Sequence, residues 1–595
     1  MEYPRPQLQR PEWLSLNGPW RFTFDDDARY GVPSDIETWP LTIEVPFAPE
    51  ASASGIGDTG FHTVCWYQRD FEFKPQAGKK VLLHFGAVDY LAHVWVNDML
   101  VARHRGGFTP FSADIGHLLS PDGQQRVTVR VEDDPEDLEK PRGKQDWRPE
   151  PHAIWYYRTT GIWQSVWLEQ VPETYVRRIR WSPHLERWEI GFEAFILGPI
   201  ADELEVQVRL SSDGDLLVED RYRVIRGEVH RRIALSDPGI DDFRNDLLWS
   251  PEHPRLIDAE VKLLKGGEVI DSLTSYTALR SAKVHRDRFL LNGRLYPLKL
   301  VLDQGYWPDT LMTPPSSEAA RRDVELAKAM GFNGVRKHQK LEDPRYLYWA
   351  DRLGLVVWTE MPSAFRFTTR AVKRLMREWT EAIERDYSHP CVIVWVPFNE
   401  SWGVPDLTAT QAHRDAVHAF YHLTKTLDPE RPVIGNDGWE SSATDIIGIH
   451  DYDNDPHTLR ERYGPQVKPD ELFDRRRPGG RILTLDGYPH RGQPIILTEF
   501  GGVAYVNPAD ESHRGTWGYF RHNTLEEFEK LVLALIDVAR GTAMFSGFCY
   551  TQFADTFQEA NGLLYPDRTP KIPLDRIAEA VRGHVEEGAL HWEST

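Results

Sequence analysis

From residue 297 to residue 555 the chain repeats one pattern eight times: a short apolar run, closed by polar side chains, then a longer connection. The runs are PLKLVLD (297–303), GFNGVRKH (331–338), LVVWTEMP (355–362), CVIVWVPFNE (391–400), PVIGNDGW (432–439), DIIGIHDY (445–452), PIILTEFG (494–501) and MFSGFCYTQFAD (544–555). Short apolar runs with little alternation suit strands buried on both faces, as in a parallel sheet. Helical periodicity recurs near 316–330, 343–353, 371–387 and 408–427. Eight strands with intervening helices over about 300 residues predict a (β/α)8 TIM barrel. One connection is anomalous: only ESSAT (440–444) separates the fifth and sixth runs, too few residues for a crossover helix. A doubly wound sheet is the competing arrangement, but no glycine-rich phosphate loop follows any run.

The first 280 residues follow a different period. Alternating runs such as KKVLLHFGAVDYLAHVWVNDML (79–100), QRVTVRVED (125–133), ELEVQVRL (203–210) and AEVKLLKGGEVIDSLTSYTAL (259–279) are separated by turn residues. Their spacing predicts two β-sandwiches ahead of the barrel. The expected organisation is multidomain: an N-terminal jelly-roll β-sandwich over 1–171, an immunoglobulin-like β-sandwich over 172–280 and the barrel over 281–595.

Composition narrows the function classes. A formal net charge of -21 argues against a nucleic-acid or anionic-membrane partner, and no run approaches the ~18 apolar residues of a membrane helix. The three cysteines form no CxxC pair or Cys/His cluster, so neither a disulfide framework nor a structural zinc site is expected, and the expectation for cofactors is none. MEYPRPQLQRPEW carries no signal-peptide pattern, which sets the expectation of a cytoplasmic protein. The 12% of aromatic residues suit a large β-rich core and also suit sugar faces.

In a barrel, active groups sit at the C-terminal ends of the strands. Polar residues fall there on every run: Asp303; Arg336 and His338; Glu360; Asn399 and Glu400; Asn436 and Asp437; His450 and Tyr452; Glu499; Tyr550 and Gln552. Any one of them alone reads as a helix cap or an ion-pair member. Glu400 and Glu499 directly follow VIVWVPFN and PIILT, where an unpaired charge is costly. Two carboxylates facing one pocket fit glycoside hydrolysis, with one as proton donor and the other as nucleophile or base. Sequence spacing leaves retention and inversion both open. Asp303, Gln304, Trp307, Asp437, Trp439 and Gln552 are the further candidates for sugar contact.

The ordered set WLSLNGPWRF (13–22), TTGIWQSVWLE (159–169), LLWSPEHPRLIDAEVKLL (247–264), FLLNGRLYPLKLV (289–301), MGFNGVRKH and RDYSHPCVIVWVPFNE resembles glycoside hydrolase family 2 over almost the whole chain. The resemblance implies a retaining double displacement, with Glu400 as acid/base and Glu499 as nucleophile. It implies Asn399 on the sugar 2-hydroxyl, Arg336 supporting the nucleophile, Tyr452 or His450 near it, and Tyr550 as an aromatic platform. It also implies a barrel without its fifth helix and, from the habit of the family, a homo-oligomer. VLDQGYWPD departs from the classical galactosidase motif, so no metal site carries over. NGLLYPDR (561–568) places Leu563 where glucuronidases carry a carboxylate-binding lysine, which leaves Arg568 or Lys571 to substitute. The expected activity is therefore exo-hydrolysis of a β-galactoside, with β-glucuronidase or α-L-arabinofuranosidase as alternatives. A non-catalytic carbohydrate-binding protein is the reading from another class.

Overall fold

The computed structural model describes residues 2–235, 246–473, 476–477, 480–507 and 516–583. Near the N-terminus a six-stranded antiparallel sheet, with Val64–Glu72 and Gln124–Glu132 at its centre, packs against a four-stranded sheet that includes Val166–Pro172 and Lys79–Phe85. Trp20, Phe22, Tyr67, Val94, Val129 and Leu168 fill the space between them, one face of each strand pointing inward by the two-residue alternation. A second, smaller sandwich follows, with sheets of three and four strands closed over Trp181, Phe192, Val206 and Val261. Gly266-Gly267 turns its last hairpin, between Ile257–Lys265 and Glu268–Thr277.

The remainder is the barrel. Its seven regular strands are β1 Leu298–Asp303, β2 Gly334–Lys337, β3 Val356–Glu360, β4 Val392–Val396, β5 Ile447–Asp451, β6 Ile495–Gly501 and β7 Phe545–Thr551. They form one parallel sheet in the order β4-β3-β2-β1-β7-β6-β5. Helices Ser317–Ala329, Pro344–Leu353, Thr369–Asp386 and Gln411–Leu427 connect the first four strands and follow the fourth. Local chemistry sets their starts: Ser316, Asp343 and Thr368 each accept a backbone N–H of the first turn, with Pro344 pre-set for its helix. Leu375, Trp379, Ala382 and Ile383 recur at helical spacing and face the sheet.

The sequence expectation fails at one stave. PVIGNDGW forms no regular strand. It closes the gap between β4 and β5 through isolated parallel bridges, Trp395 to Val433 and Asn399 to Asp437. Proline, two glycines, asparagine and aspartate are poor strand formers, and Asp437 is held by hydrogen bonds from its own N–H to Phe398 O (3.0 Å) and from Glu400 N to its carbonyl (2.9 Å). No helix separates this stave from β5, as the short ESSAT link requires. Cys65, Cys391 and Cys549 are free and buried. Among the described residues no helix is long and apolar enough to cross a membrane.

Candidate active site

Arg336, at the end of β2, is the hub of the barrel mouth. It is fully buried, and each guanidinium nitrogen is committed. Nη1 donates to Glu499 Oε1 and to Thr498 O, both at 2.9 Å, and Nη2 donates to Asn399 Oδ1 at 2.7 Å while lying 3.2 Å from Asp437 Oδ2. Nε bonds Glu360. Four staves are therefore tied to one cation, and an isolated buried charge of either sign would be far more costly than this cluster. Burial opposes the charge on Asp437, but Arg336 and His450 hold its carboxyl down at about 2. Burial pushes Glu360 upward against Arg336.

Glu499, on β6, accepts a second hydrogen bond from Tyr452 Oη at 2.6 Å, and the Tyr452 ring stacks on Tyr519 at 3.6 Å. His450, on β5, sits between the two carboxylates that sequence singled out. Its Nδ1 is 2.8 Å from Glu400 Oε1 and 3.4 Å from Glu499 Oε2. Glu400, His450 and Glu499 each place a polar atom within 4.8 Å of the others. Burial disfavours the imidazolium, yet Glu499, Asp437 and Glu400 push its pKa up to about 10. Burial also acts upward on Glu400, but the His450 hydrogen bond and charge, with Lys144 and Trp402, bring its carboxyl below the usual range. The pair's shared proton thus rests on His450.

Backbone geometry explains how Glu400 is aimed. Glu400 and Ser401 adopt left-handed φ values of 52° and 59°, at a cost of ~1–2 kcal/mol each. The turn is over-determined by its neighbours: Ser401 N donates to Asn436 Oδ1 at 2.9 Å, Trp402 N to Asn399 O at 2.9 Å, and Ser401 Oγ to Glu440 Oε2 at 2.7 Å. The irregular fifth stave comes close because of glycine. A Cβ on Gly448 would stand 1.6 Å from Asp437 Oδ1, and one on Gly438 (φ 98°) would strike the His450 ring at 2.6 Å.

The opposite rim is a relay of amides. Gln304 Nε2 donates to Gln552 Oε1 (2.8 Å), Gln552 Nε2 to Asn561 Oδ1 (2.6 Å), and Asn561 Nδ2 to Glu559 Oε1 (3.1 Å), while Tyr156 Oη bonds the other Glu559 oxygen. Gln304 Oε1 is buried without a partner, an open acceptor at the end of the relay. Tyr156 belongs to the first sandwich, and so does Trp155. Trp155 meets Trp402 edge-on at 5.6 Å, and Trp402 Nε1 donates to Glu400 Oε2 at 3.3 Å. Phe365 closes this aromatic wall against Trp402 at 5.3 Å. The sequence reading missed Trp155, Tyr156, Trp402, Phe365, Tyr519 and Glu559. Trp402 stood two residues from Glu400, and WRPEPHAIWYY (147–157) was conspicuously aromatic, but nothing local said that this loop reaches the barrel.

Arg336, Asn399, Glu400, Asp437, His450, Tyr452 and Glu499 are thus brought together, with Gln304 and Gln552 on the rim. Trp439 lies edge-on to His450 at 5.6 Å. His338 Nδ1 is 2.9 Å from Glu360 Oε2 and 3.9 Å from Glu499 Oε1, without an aligned hydrogen bond to either. Burial, then Lys144, keep His338 neutral. Three expected contacts stand apart. Asp303 is engaged by Lys337 Nζ (2.6 Å) and Gly305 N (2.8 Å). The Trp307 ring is flanked by Lys340 and Arg568 at 5.2 and 5.0 Å and lines a small cleft with Tyr306 and Phe557. Tyr550 is no exposed platform: it is fully buried, edge-on to Phe500, beneath Gly501.

Two sets of side chains have metal-ligand spacing among the described residues. In Glu400, His450 and Glu499 a metal would have to displace the imidazolium proton. In Asp351, His389 and Cys391 the Asp351 oxygens already accept from His389 (2.6 Å), Tyr276 (2.8 Å) and Cys391 N (2.7 Å).

Comparison with known proteins returns models of one family along the chain: the family 2 glycosyl hydrolase sugar-binding domain at 27–172, the family 2 glycosyl hydrolase model at 174–280 and the family 2 TIM barrel domain at 314–583. A β-galactosidase of Thermoanaerobacter pseudethanolicus is 27% identical over 66% of this chain and 51% of its own length, so the chain spans about half of that relative. A β-glucuronidase of Paenibacillus borealis is 26% identical over 85% of both chains. The Bacteroides uniformis β-glucuronidase structure superposes with a TM-score of 0.77 at 21% identity, covering 97% of this chain and 70% of that one, a likeness of fold.

Proposed function

The chain belongs to glycosyl hydrolase family 2, and from that premise we propose that it is a retaining exo-acting β-glycosidase with Glu499 as nucleophile and Glu400 as acid/base. The observation that carries the reading is the distance between the two carboxylates. Oxygens of Glu400 and Glu499 lie within 4.8 Å of each other, in keeping with the ~5–5.5 Å separation of retaining enzymes and short of the ~6.5–9.5 Å that an inverting enzyme needs to admit water.

The remaining groups have roles that follow from their contacts. Arg336 and Tyr452 take up both Glu499 oxygens, which orients the nucleophile. Arg336 also fixes the Asn399 carbonyl, so the Asn399 amide N–H is turned toward the pocket as a donor for a sugar hydroxyl. His450 holds a proton 2.8 Å from Glu400. Glycoside binding excludes water from that pair and transfers the proton to Glu400, which delivers it to the departing oxygen while Glu499 attacks the anomeric carbon. Water then enters, Glu400 removes its proton, and the glycosyl ester on Glu499 breaks.

Two sugars compete. The β-galactoside comes from the sequence reading and agrees with the name of the Thermoanaerobacter relative. A β-uronide is favoured by a buried lysine at the barrel mouth and agrees with the names of the glucuronidase relatives. A nitrophenyl panel of β-galactoside, β-glucuronide, β-galacturonide and α-L-arabinofuranoside separates them. Proton NMR of the first product tests the mechanism. The β-anomer is expected to appear first, and Glu499→Ala with azide is expected to release the α-glycosyl azide. An α-anomer appearing first, or full activity of Glu499→Ala, sinks the assignment.

A further inference from the structure

Five lysines are buried among the described residues, and four of them have an acidic partner. Lys140 pairs with Asp133, Lys337 with Asp303 at 2.6 Å, Lys340 with Glu342 at 2.9 Å and Lys571 with Asp555 at 2.6 Å. Lys144 is the fifth. It is 9% exposed, and among the described residues its ammonium has no hydrogen-bond or ion-pair partner. A largely buried lysine without a counter-charge stands out where the other four buried lysines each have one.

Its position explains what it awaits. Lys144 lies in the first-sandwich loop pressed onto the barrel mouth. Arg142 N and Gly143 N both donate to Ser363 O (3.0 and 3.1 Å), and a Cβ on Gly143 would stand 2.2 Å from Gln339 O. Lys144 O accepts from Tyr156 N at 2.8 Å, next to the Trp155–Trp402 contact on the Glu400 side and the Tyr156–Glu559 bond on the amide-relay side. Its charge is felt on both sides, acting downward on the Glu400 and Glu559 carboxyls and on His338.

We propose that Lys144 is a specificity-determining residue that receives the carboxylate of a uronic-acid sugar held between Glu400 and Glu499. This rests on the glycosidase reading above. The other cations near the eighth stave are taken: Lys571 by Asp555, and Arg568 by Asp323 at 3.0 Å. Leu563 is fully buried and apolar. A neutral hexose would leave the ammonium unpaired. A single carboxylate matches a single lysine.

The test compares kcat/KM of wild type, Lys144→Met and Lys144→Arg on the nitrophenyl β-glucuronide, β-galacturonide and β-galactoside. Calorimetric binding of free glucuronate, galacturonate and galactose to the same proteins runs alongside. The wild type should prefer one uronide, whose epimer the panel identifies. Lys144→Met should lower the uronide-to-galactoside ratio about 10- to 150-fold, chiefly through KM, and Lys144→Arg should restore part of it. An unchanged ratio in Lys144→Met, or a wild type that turns over the galactoside and neither uronide, overturns the proposal. If the wild type hydrolyses no glycoside, the glycosidase reading falls. Calorimetry then decides Lys144 by itself: uronate binding lost in Lys144→Met supports the site, and binding absent or equal in both proteins refutes it.

Discussion

Replacing His450 with glutamine probes the electrostatic core of the site. The imidazole is fully buried, so solvent does not screen its interactions, and its pKa rises from 6.5 to about 10 because Glu499, Asp437 and Glu400 surround it. A raised pKa means that the folded state binds the proton more tightly than the unfolded state. The associated stability is fully present below pH ~6.5 and is lost as pH rises through ~10. A shift of this size corresponds to about 5 kcal/mol at acid pH, of which about 4 kcal/mol remains at pH 7 and between about 1 and 2 kcal/mol at pH 9. Glutamine keeps a donor toward Glu400 and removes the titrating charge. Urea unfolding of both proteins, followed by tryptophan fluorescence from pH 6 to 10, measures the difference. The gap between wild type and His450→Gln should narrow by about 2–3 kcal/mol between pH 7 and pH 9. A gap that is flat or widens with pH refutes the imidazolium assignment.

Gly448→Ala would force Asp437 Oδ1 back from 1.6 Å to at least the 3.0 Å that a Cβ tolerates. Loosening of the Arg336–Asp437 contact should cost about 1–3 kcal/mol in a thermal melt and about 100-fold in kcat. Arg336→Met leaves Glu360, Asp437 and Glu499 without their shared cation. It should destabilise the fold by about 3–5 kcal/mol, less at acid pH, where Glu360, already pushed upward by burial, takes up a proton; a destabilisation that grows on acidification, in a urea series extended to about pH 4, would contradict the hub role. Trp155→Ala removes an edge contact worth ~0.5–1.5 kcal/mol from the wall beside Glu400. It should raise KM for aryl glycosides several-fold more than the inhibition constant of the free sugar, read from steady-state kinetics.

The barrel was legible because its strands and helices each carry their own period, and because strand ends hold polar groups that a buried strand would not otherwise tolerate. Glu400 and Glu499 stood out for that reason, directly after VIVWVPFN and PIILT. What stayed hidden was tertiary. The fifth stave read as a strand because its apolar start resembles the others, while Gly448 on the neighbouring strand leaves the room in which Asp437 meets Arg336, a contact 101 residues apart in the chain. Asp303 and Trp307 carried the right chemistry for a sugar pocket, and only the positions of Lys337, Lys340 and Arg568 show that they are otherwise engaged. Lys144 and Trp155 lay in a loop of the first sandwich, and no periodicity in that loop encodes its arrival at a barrel more than 100 residues downstream.

The acid role of Glu400 links these parts. A proton donor must be protonated when the glycosidic bond breaks, yet the surroundings hold Glu400 ionised: burial acts upward, while His450, Lys144 and Trp402 act downward and prevail. A substrate carboxylate seated on Lys144 would neutralise one of those downward influences. Closure over the sugar would strengthen the upward one, so a charged substrate would help create the acid that cleaves it. The consequence is measurable in kcat, whose pH dependence reports groups in the enzyme–substrate complex. In the wild type the alkaline limb for a β-uronide should lie at higher pH than the limb for a β-galactoside. Lys144→Met should raise the galactoside limb toward the uronide limb, because the field that the carboxylate would have cancelled is then gone. Coincident wild-type limbs for the two substrates would mean that Lys144 and Glu400 titrate independently, and the coupling between sugar charge and proton donor would fall.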